Sequence, residues 1–133
     1  MTMPDDLAQG FALTMPGTPA VLQDVRLALR AWLSVEHVPS LVQIDVVLAV
    51  DEAVANAVEH AIPRTPGTPV EFSVVAFVRS HEFLVTVSDN GGWRESPRNA
   101  MRGRGIPLMI AVMTTVDIER SESGTTVHMS RTF

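Results

Sequence analysis

The chain has 133 residues, a length that folds as one domain and buries a single core without metals or disulfides. It contains no cysteine and no lysine; its ten basic residues are all arginine, set against fifteen acids for a net charge of −5. These counts exclude disulfides, thiolate zinc sites, cysteine nucleophiles, a phosphate-loop lysine and Schiff-base chemistry, and they argue against direct nucleic-acid binding, which needs a basic face.

The N-terminus, MTMPDDLAQG, is acidic, with neither a basic leader nor a signal-type apolar core, and no apolar run approaches a membrane span. A cytoplasmic protein away from membranes is therefore expected. GFALTM (10–15) alternates and predicts a short strand ended by PGTP. Thr18 is placed to cap a helix with Pro19 at its first position. Val21, Leu22, Val25, Leu29, Trp32 and Leu33 recur at helical spacing, which predicts an amphipathic helix to about Glu36. After a proline, Ser40 is placed to cap a second helix running through Ile62, and PRTPGTP (63–69) breaks the chain. VEFSVVAFVRS and EFLVTVSD are β-branched and aromatic, with Ser80 and His81 between them as a hairpin turn.

Residues 90–105, NGGWRESPRNAMRGRG, lack apolar periodicity and predict a long loop of the kind used for binding or as a lid. IPLMIAVMT follows as a short helix, and TVDIER and TTVHMSRTF close the chain as strands across SESG. The order β-α-α-β-β-loop-α-β-β predicts one α+β domain over residues 1–133, a two-layer sandwich with helices on one face of a mixed, mostly antiparallel sheet.

Four segments stand out chemically. In VLAVDEAVANAVEHA, Glu52, Asn56 and His60 lie four residues apart, and Asp45 and Glu59 share their helical face. That stripe is compatible with a solvated face or with a bound ligand. VTVSDNGGW carries Asp89 to a strand end before glycines, compatible with an ordinary turn or with a placed carboxylate. RGRGIPLM opens a helix with Gly-x-Gly, whose bare amides suit an anion. SGTTV is a hairpin entering the last strand. Arg94, Arg98, Arg102 and Arg104 concentrate positive charge beside the Gly-x-Gly. Each segment alone is ambiguous; all four together, once each and in this order, are less so.

At this point the chain resembles the GHKL (Bergerat-fold) ATP-binding superfamily, and within it the anti-sigma-factor serine kinases of the RsbW and SpoIIAB type, from about Thr14 to the end. DEAVANAVEHA is similar to that family's N box, DNGGW to its first glycine box, GRGIPLM to its second, and GTTV to its terminal Gly-Thr. The resemblance implies ATP and Mg²⁺, with Asn56 as the magnesium ligand and Glu52 as the general base acting on a serine hydroxyl. It further implies Asp89 on the adenine amine, Gly91 beside the base, Gly103, Arg104 and Gly105 around the phosphates, Thr125 near the adenine, and a supporting role for His60. One departure is Trp93, which stands where the family usually has glycine.

Two functions follow as expectations. The first is an ATP-dependent serine/threonine-protein kinase that phosphorylates an anti-anti-sigma factor of STAS fold and sequesters a sigma factor, most simply as a homodimer. The second is a non-catalytic nucleotide-binding module that acts on its partner by occlusion. A two-component histidine kinase is disfavoured, because the first strand falls within fifteen residues of the start and leaves no room for a phosphoacceptor hairpin.

Overall fold

The computed structural model describes residues 10–63, 66–93 and 105–133. Strand β1 (Phe11–Pro16) turns its alternate residues Phe11, Leu13 and Met15 inward. Helix α1 (Val21–Val35) buries Val21, Val25, Leu29 and Leu33, a four-residue repeat that keeps one stripe against the core. Thr18 does not cap it through its side chain. The chain instead begins winding there in tighter turns, Val21 N–H donating to the Thr18 carbonyl (3.2 Å) and Leu22 N–H to that of Pro19 (3.2 Å).

Helix α1 ends in a Schellman motif. Val38 N–H donates to the Leu33 carbonyl (3.1 Å) and His37 N–H to that of Ser34 (3.0 Å), while the side chains of Leu33 and Val38 are both buried. The left-handed position, where glycine is favoured, holds His37 at φ 60°. Helix α2 (Ser40–His60) starts directly after Pro39, whose carbonyl accepts from Gln43 N–H (2.9 Å). Ser40 is thus its first residue and not its cap. The helix stops at His60, two residues short of the sequence expectation, because Ala61–Ile62 form strand β2 against β5 (Gly92–Trp93).

Strands β3 (Glu71–Arg79) and β4 (Glu82–Asp89) form the expected hairpin, with Ser80 and His81 at φ 52° and 63°, as a two-residue type I′ turn requires. Helix α3 (Gly105–Val112) is followed by strands β6 (Thr115–Ser121) and β7 (Gly124–Thr132). The main sheet runs β1-β3-β4-β7-β6. All of its described pairings are antiparallel, the limiting case of the mostly antiparallel sheet expected. The fold is α+β.

One phase of the sheet carries the core: Phe72, Val74, Ala76, Phe83, Val85, Val87, Val127 and Met129 are buried, and the helices cover them. Trp32 of α1 packs between the rings of Phe11 (5.6 Å) and Phe83 (6.3 Å). The opposite phase is rich in hydroxyls, which pair across strands as Ser73–Ser88 (2.9 Å) and Thr115–Ser130 (2.6 Å). Among the described residues no helix is long and apolar enough to cross a membrane.

The Schellman position gives a direct test of the backbone argument. Replacing His37 by glycine removes the left-handed penalty at an exposed site and should raise unfolding stability by about 1 kcal/mol, measured by urea denaturation. A loss of stability would mean that the His37 side chain makes contacts that outweigh its backbone strain.

Candidate functional site

Between α2 and the sheet lies a narrow cleft of about 20 Å³ that opens to solvent. Its helix side is Ala53, Asn56 and Ala57; its floor is Val87, Asp89, Ile118, Arg120, Thr125 and Val127; Ile106 and Met109 of α3 close one end. The opening has a simple origin in the sequence. The buried positions of α2 mix valine and alanine (Val42, Val46, Val47, Ala49, Val50, Ala53, Val54 and Ala57), and the two that line the cleft, Ala53 and Ala57, carry only a methyl group. Mostly apolar walls with a few convergent polar groups are what small-molecule sites require.

Three residues expected from the sequence meet here: Asn56 from α2, Asp89 from the end of β4 and Thr125 from β7. Asp89 and Thr125 are register partners, so both side chains emerge on the helix-facing side. Gly91 N–H donates to Asp89 Oδ1 at 3.0 Å and orients the carboxylate. Gly91 itself is buried, and Gly105 supplies the first residue of α3. Glu52 lies one helical turn before Asn56, half-buried and outside the cleft lining. His60 is the last residue of α2. Gly103 and Arg104 lie outside the described residues.

The structure divides the polar stripe of α2. Asp45 is taken up by the fold: Arg131 of β7 donates to its Oδ2 from Nη2 (2.8 Å) and Nε (3.3 Å). Glu59 is exposed. Of the stripe's described side chains, only Asn56 lines the cleft. Asp51, beside the stripe, faces Arg26 of α1 at 3.2 Å, an ion-pair distance without the alignment of a hydrogen bond.

Burial holds the Glu52 carboxyl above its ordinary value of 4.5, and the neighbouring charges of Asp51 and then Glu59 push it the same way. The shift raises the proton affinity of a carboxylate next to the cleft. Among the described residues no cluster of three or more histidine or acidic side chains could hold a metal by itself. Asn56, with Glu52 nearby, offers hard oxygen donors in small number, which suits a cation that keeps waters and substrate oxygens as its remaining ligands.

Sequence reasoning marked Gly124 only as part of GTTV, with no role of its own, and did not single out Arg120. Gly124, the first residue of β7 after the β6–β7 turn, has φ +142°, and a Cβ there would lie 1.8 Å from the Asp89 carbonyl oxygen. Only glycine lets that turn close against the end of β4. Arg120 lines the cleft from β6. Its signal was present in the alternation Val116, Ile118, Arg120, in which the inward phase of an edge strand ends in a cation.

A family model described as a histidine kinase-like ATPase domain matches residues 15–131. Among solved structures, the chain is similar to the RsbU and RsbW domains of Rv1364c from Mycobacterium tuberculosis, with a TM-score of 0.75 and 24% identity over 92% of this chain. The match spans 32% of that longer chain.

Two outcomes test this geometry. Because the folded pKa of Glu52 is raised, its ionised form costs stability above that pKa and costs nothing below the unfolded value. Glu52→Gln should therefore raise the melting temperature at about pH 7–8, with the gain shrinking toward about pH 4. A gain that grew on acidification would contradict the assigned direction. Gly124→Ala should lower the melting temperature by roughly 10 °C, because strain and overlap at Asp89 together amount to about 3 kcal/mol.

Proposed function

The chain belongs to the histidine kinase-like ATPase domain family, and from that premise we propose that it is an ATP-binding anti-sigma factor with serine-protein kinase activity. It phosphorylates an anti-anti-sigma factor of STAS fold and sequesters a sigma factor, in the cytoplasm and as a homodimer. The observation that carries the nucleotide part is the convergence of Asn56, Asp89 and Thr125 on one apolar cleft. The fold likeness to a structure containing an RsbW domain supports the regulatory part. So does an apolar surface on α1 and the start of α2, where Leu27, Val35, Leu41 and Ile44 are exposed, as a partner-binding face would be.

Adenine enters between Ala53 and Ala57 above and Val87 and Val127 below, where the narrow cleft widens to admit it, with Asp89 accepting a hydrogen bond from its exocyclic amine. Gly91 keeps that carboxylate aimed, and Thr125 faces the ring. The phosphates run toward the start of α3, where Gly103, Arg104 and Gly105 supply amides and positive charge. Asn56 would hold Mg²⁺ through its carboxamide oxygen, and the metal supplies charge neutralisation on the phosphates. His60 supports the end of the same helix.

In the transfer step the serine oxygen forms a bond to the γ-phosphorus as the bond from that phosphorus to the β-bridging oxygen breaks, and ADP leaves. Glu52 takes the serine proton. Its raised pKa makes it a stronger acceptor than an exposed glutamate.

One observation favours the alternative, a nucleotide-binding module that acts by occlusion. Trp93, which replaces the usual glycine, is paired with Ala61 in the β2–β5 ladder, so its backbone is committed to a strand. A lid that depends on freedom at that position has less of it here.

The two readings separate in one experiment, with γ-labelled ATP and a STAS-domain antagonist carrying an acceptor serine. Glu52→Ala should bind ATP-Mg²⁺ as the parent does and lose at least about 100-fold in transfer rate. Asn56→Ala should lose magnesium-dependent binding. Binding by the parent protein with no transfer to any antagonist supports the module, and transfer by Glu52→Ala at the parent rate rules out the assigned base.

A further inference from the structure

We propose that Arg120 is a nucleotide-binding residue which covers the nucleoside from the edge strand, completing a row with Asp89 and Thr125. The inference rests on the cleft being an ATP site and extends it to a residue that none of the four sequence motifs contains.

The argument begins with register. Thr125 pairs with Asp89 on one side and with Arg120 on the other. Directly opposed residues of antiparallel strands point to the same face, so the three side chains rise together on the helix-facing side. Arg120 lines the same cleft as its two row partners. Ile118, two residues earlier on β6, lines it as well, so the inward phase of the edge strand passes from an apolar wall to a guanidinium at the end of the row.

Spacing decides which part of a nucleotide such a row can span. Adjacent strands lie about 4.8 Å apart, so the backbone positions of Asp89 and Arg120, two strands apart, are separated by about 10 Å. That is the span of a nucleoside from the amine of its base to its ribose. With the amine held by Asp89 and the ring over Thr125, the far side of the nucleoside comes under Arg120. A planar guanidinium is suited to this place: it stacks on a purine face or donates to ribose oxygens, and its long stem packs along Ile118 while the head stays at the solvent edge.

Charge points the same way. Among the described residues the other ionisable group lining the cleft is the carboxylate Asp89, and Glu52 and Glu59 share the helical face of Asn56 on α2. Arg120 is the cation of that lining among the described residues. A nucleotide approaching an acidic wall is met by one fixed positive group on the sheet side, independently of the arginines at 94–104.

The test compares adenosine, ADP and ATP-Mg²⁺ on the parent protein, Arg120→Ala, Arg120→Lys and Asp89→Asn, by calorimetry for the nucleotides and ligand-observed NMR titration for adenosine. Arg120 is exposed, so both of its variants should melt within about 2 °C of the parent. Arg120→Ala should weaken all three ligands by a similar factor, roughly five- to twentyfold, and Arg120→Lys should recover less than half of the loss in log Kd, because it keeps the charge without the plane. A loss confined to ADP and ATP would place Arg120 at the phosphates and overturn the nucleoside assignment. Unchanged affinity in Arg120→Ala while Asp89→Asn binds weakly would overturn the role of Arg120 and leave the ATP site standing. If the parent protein binds none of the three, the underlying site assignment fails first.

Discussion

The site depends on small side chains at two positions of one helix. Val42, Val46, Val47, Ala49, Val50 and Val54 close α2 against its neighbours, and at the cleft it presents Ala53 and Ala57. Interiors are normally filled to crystal-like density, so a helix that gives up methyl groups on a buried face forfeits dispersion and burial energy unless something else occupies the space. The cleft with Asn56, Asp89 and Thr125 sits where those methyl groups are missing. The packing deficit and the polar convergence coincide, and each would be hard to explain without the other.

Electrostatics repeats the pattern. Asp45 and Glu52 lie on the same helix, and the fold treats them differently. Asp45 meets Arg131 and ties α2 to β7, whereas Glu52 is held in surroundings that disfavour its charge, first through burial and then through Asp51 and Glu59. Sites that perform proton transfer are often less stable than their surroundings could make them. The proposed base role of Glu52, kept uncomfortable beside the cleft, fits that trade-off, whereas Asp45 serves packing.

Much of the fold could be read from the residues. The β3–β4 hairpin was legible because β-branched runs flank a two-residue turn, and the inward stripe of α1 because its valines and leucines repeat at helical spacing. The helix ends were less legible. Thr18 looks like a cap in isolation, but the chain winds there through backbone bonds. Ile62 looks helical until the β2–β5 ladder, a contact between residues thirty positions apart, draws it into a strand. The polar stripe shows the same limit at the site. A helical wheel groups Asp45, Glu52, Asn56 and Glu59, but which neighbour covers each is set by the other elements. Register hid Arg120 and close backbone approach hid the role of Gly124 within GTTV, since neither is a property of a local segment.

The phosphoryl transfer proposed above would place a geometric demand on this arrangement. The cleft face of the sheet is positioned by strand register, which fixes Asp89, Thr125 and Arg120 relative to one another. Glu52 and Asn56 are positioned by helical pitch, which fixes them relative to each other but not to the sheet. An error of about 1 Å between the two frames is enough to slow a transfer reaction a hundredfold. The fold links them at both ends of α2: Arg131 grips Asp45 near its start, and the β2–β5 ladder fastens the residues just after His60 to those just after Gly91. The second link joins the end of the helix to the loop that orients the Asp89 carboxylate. Between these two fastenings helical pitch is continuous, so the acid and the amide on the later turns of α2 are positioned against the sheet by contacts that touch neither of them.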